Sequence, residues 1–475
     1  MAEFEALTKQ ILAKITPKKE ERIKVDALSH KIEAQIADAC QSEGIDATVR
    51  VEGSVAKDTW LAEDPDIDVF MRLPTSVPRK NLGDIGLKIA RRAAGNAEQV
   101  ERFAEHPYLE VFVDDYRVDI VPCYDTPPLE WQSATDRTPY HTDYINTHLK
   151  KELRDEVRLL KKFMQGIGIY GAEIKIGGFS GYLCELLVMH YGSFRGVVES
   201  FSAYSKRIVI DIGDFYRDRE REAGLLFPEP LVIVDPVDKG RNVASAVQPQ
   251  RLYEFIAAAR AVLKAPSEDF FYPQPTHALP PNITESHITG QGASHIYLTT
   301  GELSAVPDVL WGQLYRTKRS LRRLLETNDF RVLRDAVWSN EKSLCIFVFE
   351  LEQKVLPNVK KHLGPQLERE TECEKFLSKY VGAKSVFCGP YIEDGRWVVE
   401  VPCKYTDAAA LLGEKLLDGG KNAGVAELVA EAIRTEFSVL ADNEVLEVYT
   451  EHSDFAVFLT TFLLGKPFWL KTQEV

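Results

Sequence analysis

Apolar residues divide the start of the chain into two helices and a strand. Two stretches, residues 7–15 and 28–40, carry apolar side chains at helical intervals on either side of Thr16-Pro17, which predicts two amphipathic helices. From residue 47 the period of the apolar positions changes to two. A strand is therefore expected to run into Gly53-Ser54.

The alternation returns at residues 66–72. Ile67, Val69 and Met71 are expected to face a core, and Asp66, Asp68 and Phe70 to face the other side of the sheet. A helix is predicted near 81–95, and two strands near 108–113 and 116–121 flank a turn at Asp114-Asp115. Helices interspersed with strands in this order predict an α/β unit, a mixed sheet with helices on one face.

Past residue 145 helical periodicity dominates, and a glycine-rich connector at residues 166–181 leads into a helix that begins after Ser180. Residues 265–295 are rich in proline, histidine and threonine, and we expect a domain boundary there. Strands then alternate with helices, which predicts an α+β region. The predicted strands are 343–351 and 397–401, and the predicted helices are 249–264, 308–326, 366–380, 406–417 and 424–436.

Composition narrows the class of protein. The chain has 475 residues, of which 45% are apolar, enough for several folded domains and incompatible with a disordered or fibrous chain. Its formal net charge of -14 argues against non-specific coating of nucleic acid or anionic membrane, although a local basic groove is compatible with it. Seven cysteines without CxxC spacing favour reduced thiols over disulfides or zinc. No apolar run reaches the roughly 18 residues that span a bilayer. We expect a cytoplasmic protein with no membrane partner.

Three aspartates form the candidate reactive site. Asp66 and Asp68 lie two apart on a predicted strand, so both carboxylates project from one face and repel unless a cation lies between them. Asp119 interrupts an apolar strand, where an unpaired carboxylate is costly and needs a partner. Three acids on neighbouring strands are the ligand set of a two-metal phosphoryl or nucleotidyl transfer. Upstream, Gly53 allows a phosphate to approach the backbone, and Ser54 offers a hydroxyl to its oxygens.

The segment from Gly53 to Trp60, followed by Asp66-Ile-Asp-Val-Phe70, resembles the signature of the nucleotidyltransferase superfamily that contains DNA polymerase β. Further segments are similar to the archaeal, class I CCA-adding enzymes: Arg137–Thr142, Asp155–Lys161, Gly168–Glu173, Gly178–Leu187, Asp235–Asp238 with Arg241–Ala244, Phe347–Leu351 and His362–Pro365. The likeness is dense over residues 45–250 and thinner to the end.

This resemblance implies template-independent addition of C, C and A to the 3′ end of tRNA from CTP and ATP, with Mg²⁺ as cofactor. It implies a polymerase β-like head at 1–148, a helical neck at 149–265 that completes the nucleotide pocket, and an α+β body and tail at 266–475. It leaves open whether the tail follows the body or is inserted within it. It leaves a homodimer open. Asp66, Asp68 and Asp119 match the catalytic, metal-binding carboxylates. The positions that match nucleotide contacts are Gly53, Ser54, Lys57, Thr138, His141, Lys161, Tyr170 and Arg241.

Lys57 stands where some relatives carry arginine. A lysine supplies positive charge to a phosphate but cannot donate to two of its oxygens at once, as a guanidinium does. Each nucleotide contact also has a plainer interpretation: His141 as an ordinary loop histidine, Lys161 as a charge on a solvated helix face, Tyr170 as packing, and Arg241 as a surface ion-pair partner.

Positive charge for RNA is concentrated in two stretches. Residues 150–162 carry six basic side chains, and the helix predicted at 308–326 carries five without an acid among them: Arg316, Lys318, Arg319, Arg322 and Arg323. The second group has the helical phase of a stripe that could follow the phosphates of the acceptor arm, although a solvated helix face is an equally good interpretation.

Two other functions fit the same residues. A poly(A) polymerase or oligoadenylate synthetase would use the same catalytic domain on a different substrate. A non-catalytic RNA-binding scaffold would carry a degenerate transferase domain, which the intact Asp66, Asp68 and Asp119 argue against.

Overall fold

A computed structural model of the chain describes residues 2–62, 64–103, 106–114, 116–290 and 292–470, with only the backbone described at Glu220. It divides into two compact units, Met1–Pro275 with Pro467–Val475, and Thr276–Lys466. All seven cysteines carry free thiols. No helix in the described part of the chain is long and apolar enough to cross a bilayer.

The first unit contains two sheets and ten α-helices among its described residues. Its strands are β1 (Thr48–Glu52), β2 (Asp66–Leu73), β3 (Glu98–Phe103), β4 (Pro107–Val113), β5 (Tyr116–Tyr124), β6 (Ile208–Asp211) and β7 (Leu231–Val234). Its helices are α1 (Ala2–Ile15), α2 (Lys19–Ser42), α3 (Gly53–Ala56), α4 (Arg79–Ala94), α5 (Thr138–His148), α6 (Arg154–Gly166), α7 (Gly181–Tyr191), α8 (Phe194–Ser202), α9 (Glu220–Leu226) and α10 (Pro249–Lys264). Short 3₁₀ helices occupy Ala134–Arg137, Lys151–Leu153 and Glu268–Phe270.

The predicted mixed sheet is present, with strand order β1-β2-β5-β4-β3. β2 and β5 run parallel, and the other neighbours are antiparallel. Ile67, Val69 and Met71 are fully buried in one cluster with residues of α2 and α4. β4 and β5 form the predicted hairpin, in which Asp114 has a φ of 53°. Asp115 lies outside the described residues.

The rest of the first unit is mainly helical and packs around Phe163 of α6. The Phe163 ring contacts Phe194, Phe255, Phe270 and Phe271 at centroid distances of 5.5–6.1 Å. The two-stranded parallel sheet of β6 and β7 lies beside these helices, with β7 buried at all four positions. This core fixes α6 and α7, which carry several candidate site residues.

The second unit contains a larger and a smaller sheet. Its strands are β8 (Ser294–Thr300), β9 (Val332–Ser339), β10 (Cys345–Leu351), β11 (Lys360–Gln366), β12 (Cys388–Glu393), β13 (Arg396–Val401) and β14 (Phe437–Ala441). Its helices are α11 (Pro281–Gly290), α12 (Pro307–Thr327), α13 (Glu370–Tyr380), α14 (Ala408–Leu416), α15 (Glu427–Thr435), α16 (Leu446–Glu451) and α17 (Ser453–Leu464), with 3₁₀ helices at Lys421–Ala423 and Asp442–Val445.

The larger sheet is antiparallel and has the order β14-β8-β10-β9. All seven residues of β10 are buried, and its six apolar side chains belong to two separate hydrophobic clusters. Between β10 and β14 in the sequence, residues 360–401 form their own sheet, β11-β13-β12, against which α13 packs. The smaller sheet is thus an insertion within the larger one.

We expect Phe163→Ala to lower the free energy of unfolding of the first unit by about 3–5 kcal/mol, because it opens a cavity in a close-packed aromatic cluster. Urea unfolding followed by circular dichroism measures it. The control is Leu225→Ala in α9, whose side chain is 87% exposed and whose loss should change stability by less than about 0.5 kcal/mol. Equal effects of the two substitutions would contradict the packing described.

Candidate active site

Four carboxylates lie side by side across the five-stranded sheet. In the strand register Glu52 of β1 is opposite Asp68 of β2, Asp68 is opposite Asp119 of β5, and Asp119 is opposite Glu110 of β4. Directly paired residues share a face of the sheet at a Cβ separation of roughly 5 Å. Four anions this close repel one another unless each has a partner.

Arginines neutralise the two outer members of this carboxylate row. Arg50 donates from Nε and Nη2 to the two oxygens of the fully buried Glu52, at 2.6 and 3.1 Å. Arg102 donates in the same bidentate way to Glu110, at 3.2 and 2.9 Å. The negative charge at the ends of the row is therefore compensated, whereas Asp68 and Asp119 at its centre accept no arginine hydrogen bond among the described residues.

Asp66, Asp68 and Asp119 converge at the centre of the row, where each offers an oxygen within 4.8 Å of the others. Burial, reinforced by the charge of Asp66, raises the pKa of Asp68 to about 7 and that of Asp119 to about 8. Asp119 Oδ1 is buried without a hydrogen-bond partner among the described residues. Three crowded carboxylates with an unsatisfied oxygen form a donor set that suits a hard divalent cation.

Gly53 follows β1 directly and lies against this cluster. Its φ is 67°, and a Cβ at this position would lie 1.8 Å from Asp68 Oδ2. Both the backbone conformation and the contact exclude a side chain here. Ser54 follows in α3 and faces the same cleft.

Behind this loop, two lysines share one buried acid. Glu185 of α7 is fully buried and accepts from Lys57 Nζ at 2.6 Å, while Lys161 Nζ lies 3.8 Å from its other oxygen. Thr59 completes the group, because its hydroxyl donates to Glu185 at 2.6 Å and its oxygens accept from Lys161 at 3.1 Å. Burial opposes ionisation of Glu185, but the two ammonium groups outweigh it and lower its pKa. Burial also lowers the pKa of Lys161.

Tyr170 is held by the glycine-rich connector. Phe179 N–H donates to Ile169 O at 2.8 Å, and Gly171 N–H donates to Phe179 O at 2.9 Å. The backbone on both sides of Tyr170 is therefore hydrogen-bonded to Phe179. A Cβ on Gly178 would lie 2.0 Å from Ile169 O, so this close approach requires glycine.

A cleft of about 280 Å³ brings many of the sequence-predicted residues together. It is lined by Gly53, Ser54, Lys57, Asp66, Asp68, Lys161 and Tyr170, and also by Arg117 and Tyr182. Lys161 has 2% of its surface exposed, so its interpretation as a charge on a solvated helix face is wrong. Arg158, from the same basic stretch, is also 2% exposed and is not available to follow RNA phosphates.

Thr138, His141 and Arg241 are not among the residues that line this cleft. His141 and Arg241 meet instead on Asp235, which is fully buried and accepts from His141 Nε2 at 2.9 Å and Arg241 Nη1 at 2.7 Å. Thr138 begins α5, the helix that carries His141. The interpretation of His141 as an ordinary loop histidine is wrong, because it is buried in a helix.

Tyr182 connects Asp235 with the cleft. Its hydroxyl donates to Asp235 at 3.2 Å, and its ring stacks on His141 at 4.1 Å between centroids. Burial opposes ionisation of Asp235, but its hydrogen bonds from His141 and the Val237 N–H and the charge of Arg241 lower its pKa to about 2. Burial lowers the pKa of His141, so Arg241 supplies the lasting positive charge on this acid.

Sequence reasoning missed Glu185, Asp235 and Arg117 as site residues. Glu185 is a lone acid in an apolar helical run, and Asp235 ends the apolar strand β7. The same signal, an acid among apolar neighbours, had singled out Asp119 and would have found both. Arg117 is an ordinary strand arginine in the sequence, and nothing local distinguishes it.

The second of the two predicted basic stretches lies on α12 in the second unit. Lys318 and Arg322 are paired there with Asp335 of β9, at 2.8 and 3.2 Å. Three others are exposed and have no ion-pair partner within the described part of the chain: Arg316, Arg319 and Arg323. Their spacing of three and four residues places them on one stripe of the helix.

We expect Glu185→Gln to lower the free energy of unfolding of the first unit by about 3 kcal/mol, because it leaves two buried ammonium groups without a counter-charge. Urea unfolding measures the loss. In the double variant Lys57→Met/Glu185→Gln both partners are absent, so part of the loss should be recovered. Losses that simply add would show that the two side chains do not interact.

Domain families match the chain in three consecutive segments. The family described as nucleotidyltransferase domain matches residues 33–141, the tRNA nucleotidyltransferase second domain matches 155–272, and the CCA-adding enzyme C-terminal domain matches 291–442. The three segments follow one another along the chain without overlap.

Full-length relatives agree with these segments. The chain is 37% identical over 458 residues to a CCA-adding enzyme of Methanosarcina acetivorans, covering 96% of this chain and 97% of the relative. It is 36% identical over 464 residues to a CCA-adding enzyme of Methanothermobacter thermautotrophicus, covering 95% and 97%. It is 36% identical over 402 residues to a CCA-adding enzyme of Halobacterium salinarum, covering 84% of this chain and 86% of the relative. The chain therefore belongs to the family of CCA-adding enzymes and carries a nucleotidyltransferase domain.

Proposed function

We propose that this chain adds C, C and A in turn to the 3′ end of tRNA, using CTP and ATP and releasing pyrophosphate without a nucleic-acid template. The observation that carries the chemistry is the convergence of Asp66, Asp68 and Asp119 within 4.8 Å, next to a cleft lined by Ser54, Lys57 and Lys161. Membership of the CCA-adding family supports tRNA, CTP and ATP as substrates over the poly(A) polymerase and scaffold alternatives.

A nucleotidyltransferase domain implies a divalent metal ion, and we propose that the ion is Mg²⁺ held by Asp66, Asp68 and Asp119. When bound, it would neutralise charge on the phosphates and lower the pKa of the attacking 3′-hydroxyl. Asp119 Oδ1 is the proposed acceptor of the hydroxyl proton, because it is buried with no hydrogen-bond partner in the described chain.

The triphosphate would lie against Gly53, Ser54, Lys57 and Lys161, and Tyr170 lines the same cleft. Two lysines that face one carboxylate, Glu185, leave positive charge for the phosphates. A phosphate beside Lys161 favours its charged form and so opposes the effect of burial. Lys57 provides a point charge where an arginine would grip two oxygens.

Base selection is proposed for Arg241, with Thr138 and His141 near the ribose and triphosphate. Asp235 accepts a hydrogen bond from one η nitrogen of Arg241. The guanidinium has further N–H donors that could bind the edge of cytosine or adenine. Because Asp235 also fixes His141 and Tyr182, a single buried acid would set the positions of three groups around the base.

We assign residues 1–148 to the catalytic head, 149–265 to the neck and 266–475 to the body and tail, with the inserted sheet of residues 360–401 as the tail. Arg316, Arg319 and Arg323 are the proposed contacts to the tRNA backbone. Lys318 and Arg322 are weaker candidates, because Asp335 already compensates their charge. A homodimer and a cytoplasmic location stay predictions.

We expect the protein to add two C residues and then one A to tRNA lacking its 3′ CCA when CTP, ATP and Mg²⁺ are present. Asp68→Asn should reduce the rate at least about a thousandfold, because it removes a charge that acts in the transition state. Asp38→Asn, on the exposed side of α2, is the matched control. Labelled CTP and ATP, supplied singly and together, measure the products. Tailing with A alone would favour a poly(A) polymerase, and retained tRNA binding without incorporation would favour the scaffold.

We expect the triple variant Arg316→Gln/Arg319→Gln/Arg323→Gln to weaken tRNA binding and to reduce the slope of log K against log salt by about 0.7–0.9 per lost phosphate contact. Filter binding at a series of salt concentrations between about 50 and 200 mM measures the slope. Lys318→Gln is the control and should change the slope less. An unchanged slope in the triple variant would place the RNA contacts elsewhere.

A further inference from the structure

Arg117 donates hydrogen bonds to both carboxylate oxygens of Asp66. The two residues are opposite each other in the parallel register of β2 and β5. Arg117 Nε donates to Asp66 Oδ1 at 3.0 Å, and its Nη2 donates to Oδ2. This is the bidentate geometry in which a guanidinium pairs most strongly with a carboxylate.

The pairing conflicts with the proposed metal ligation of Asp66. Asp66 is one of the three carboxylates whose oxygens converge within 4.8 Å. A bidentate guanidinium uses a lone pair on each oxygen and adds positive charge where a cation would otherwise be favoured. Asp68 and Asp119, by contrast, accept no arginine hydrogen bond in the described chain. Asp66 is thus the member of the trio whose charge is already balanced.

We propose that Arg117 is an exchangeable counter-ion of the metal site: it neutralises Asp66 in the metal-free protein and releases at least one oxygen of Asp66 when a divalent cation binds. This inference rests on the proposed function, because it takes Asp66 as a metal ligand. Arg117 would thereby lower the affinity for free metal ions and prevent three neighbouring carboxylates from standing uncompensated in the empty site.

The environment of Arg117 permits such an exchange. Its side chain is 43% exposed, and the Asp66 carboxylate is 31% exposed, so water reaches both partners. The two other bidentate arginines of this sheet, Arg50 and Arg102, hold carboxylates that are 0% and 7% exposed. The carboxylates of those two pairs are buried although their arginines are 35% and 38% exposed, whereas both Arg117 and Asp66 line the cleft. A released guanidinium would remain there among the phosphates of the substrate.

The test is the affinity of the full chain for Mn²⁺ alone, measured by the electron paramagnetic resonance signal of the free ion. Arg117→Gln should bind Mn²⁺ about tenfold more tightly than the unaltered chain, because a competing charge is removed. Arg117→Lys should lie between the two, since lysine keeps the charge but cannot hold both oxygens. Arg72→Gln removes the same charge near the far end of β2, where Arg72 pairs with Asp125, and should leave the affinity unchanged.

Asp66→Asn separates this inference from the proposed function. If Asp66→Asn weakens Mn²⁺ binding while Arg117→Gln leaves it unchanged or weaker, the metal site stands and the role of Arg117 as a counter-ion is overturned. If Asp66→Asn has no effect on Mn²⁺ binding, the proposed metal site fails and the inference fails with it. Thermal unfolding of each variant establishes whether it is folded. If Arg117→Gln does not fold, the Mn²⁺ affinity of Arg117→Lys is compared with that of the unaltered chain instead.

Discussion

Electrostatic repulsion in one row of carboxylates is the constraint on which the site depends. The strand order β1-β2-β5-β4 places Glu52, Asp68, Asp119 and Glu110 next to one another on the sheet. Arginines neutralise the outer two, whereas burial and the charge of Asp66 raise the pKa of Asp68 and of Asp119 and so oppose their ionisation. Gly53 can follow β1 only because it lacks a side chain against Asp68. The sheet thus crowds these acids together at a place where a bound cation would favour their ionised forms.

The helical part of the first unit fixes the loop between β1 and β2 from behind. Asp58 follows Lys57 directly and accepts from Arg22 of α2 and from Arg154 and Arg158 of α6. Arg158 also donates to the backbone oxygens of Trp60 and Asp58, at 2.9 and 2.7 Å. Two sets of ion pairs therefore fix Lys57 at the cleft. Its own ammonium group pairs with Glu185, and the next residue in the chain, Asp58, is held by the arginines. Removal of any partner would leave a buried or half-buried charge uncompensated.

Much of the fold follows from the apolar pattern, and the exceptions have a physical cause. The predicted helices at 81–95, 249–264 and 308–326 correspond closely to α4, α10 and α12, because each buries one face and exposes the other. Several strands of the second unit, among them β8 and β9, were not predicted individually. β8 does not alternate because it is buried at most positions, whereas the edge strands β9 and β11 are largely half-exposed or polar. The insertion of residues 360–401 depends on strand order, which local periodicity does not encode.

The amino-acid sequence by itself determined the chemistry of the site: a period of two sets Asp66 and Asp68 on one face, and Asp119 is an acid that an apolar strand cannot bury alone. Only the tertiary structure decided how these charges are balanced. Lys57 meets Glu185 across 128 residues, and His141 meets Asp235 across 94. Arg117 meets Asp66 through the parallel register of two strands that are separated in sequence by a helix and two other strands. Such partners are chosen by strand order and helix packing, which depend on the whole buried core, whereas periodicity reports only which way each side chain points.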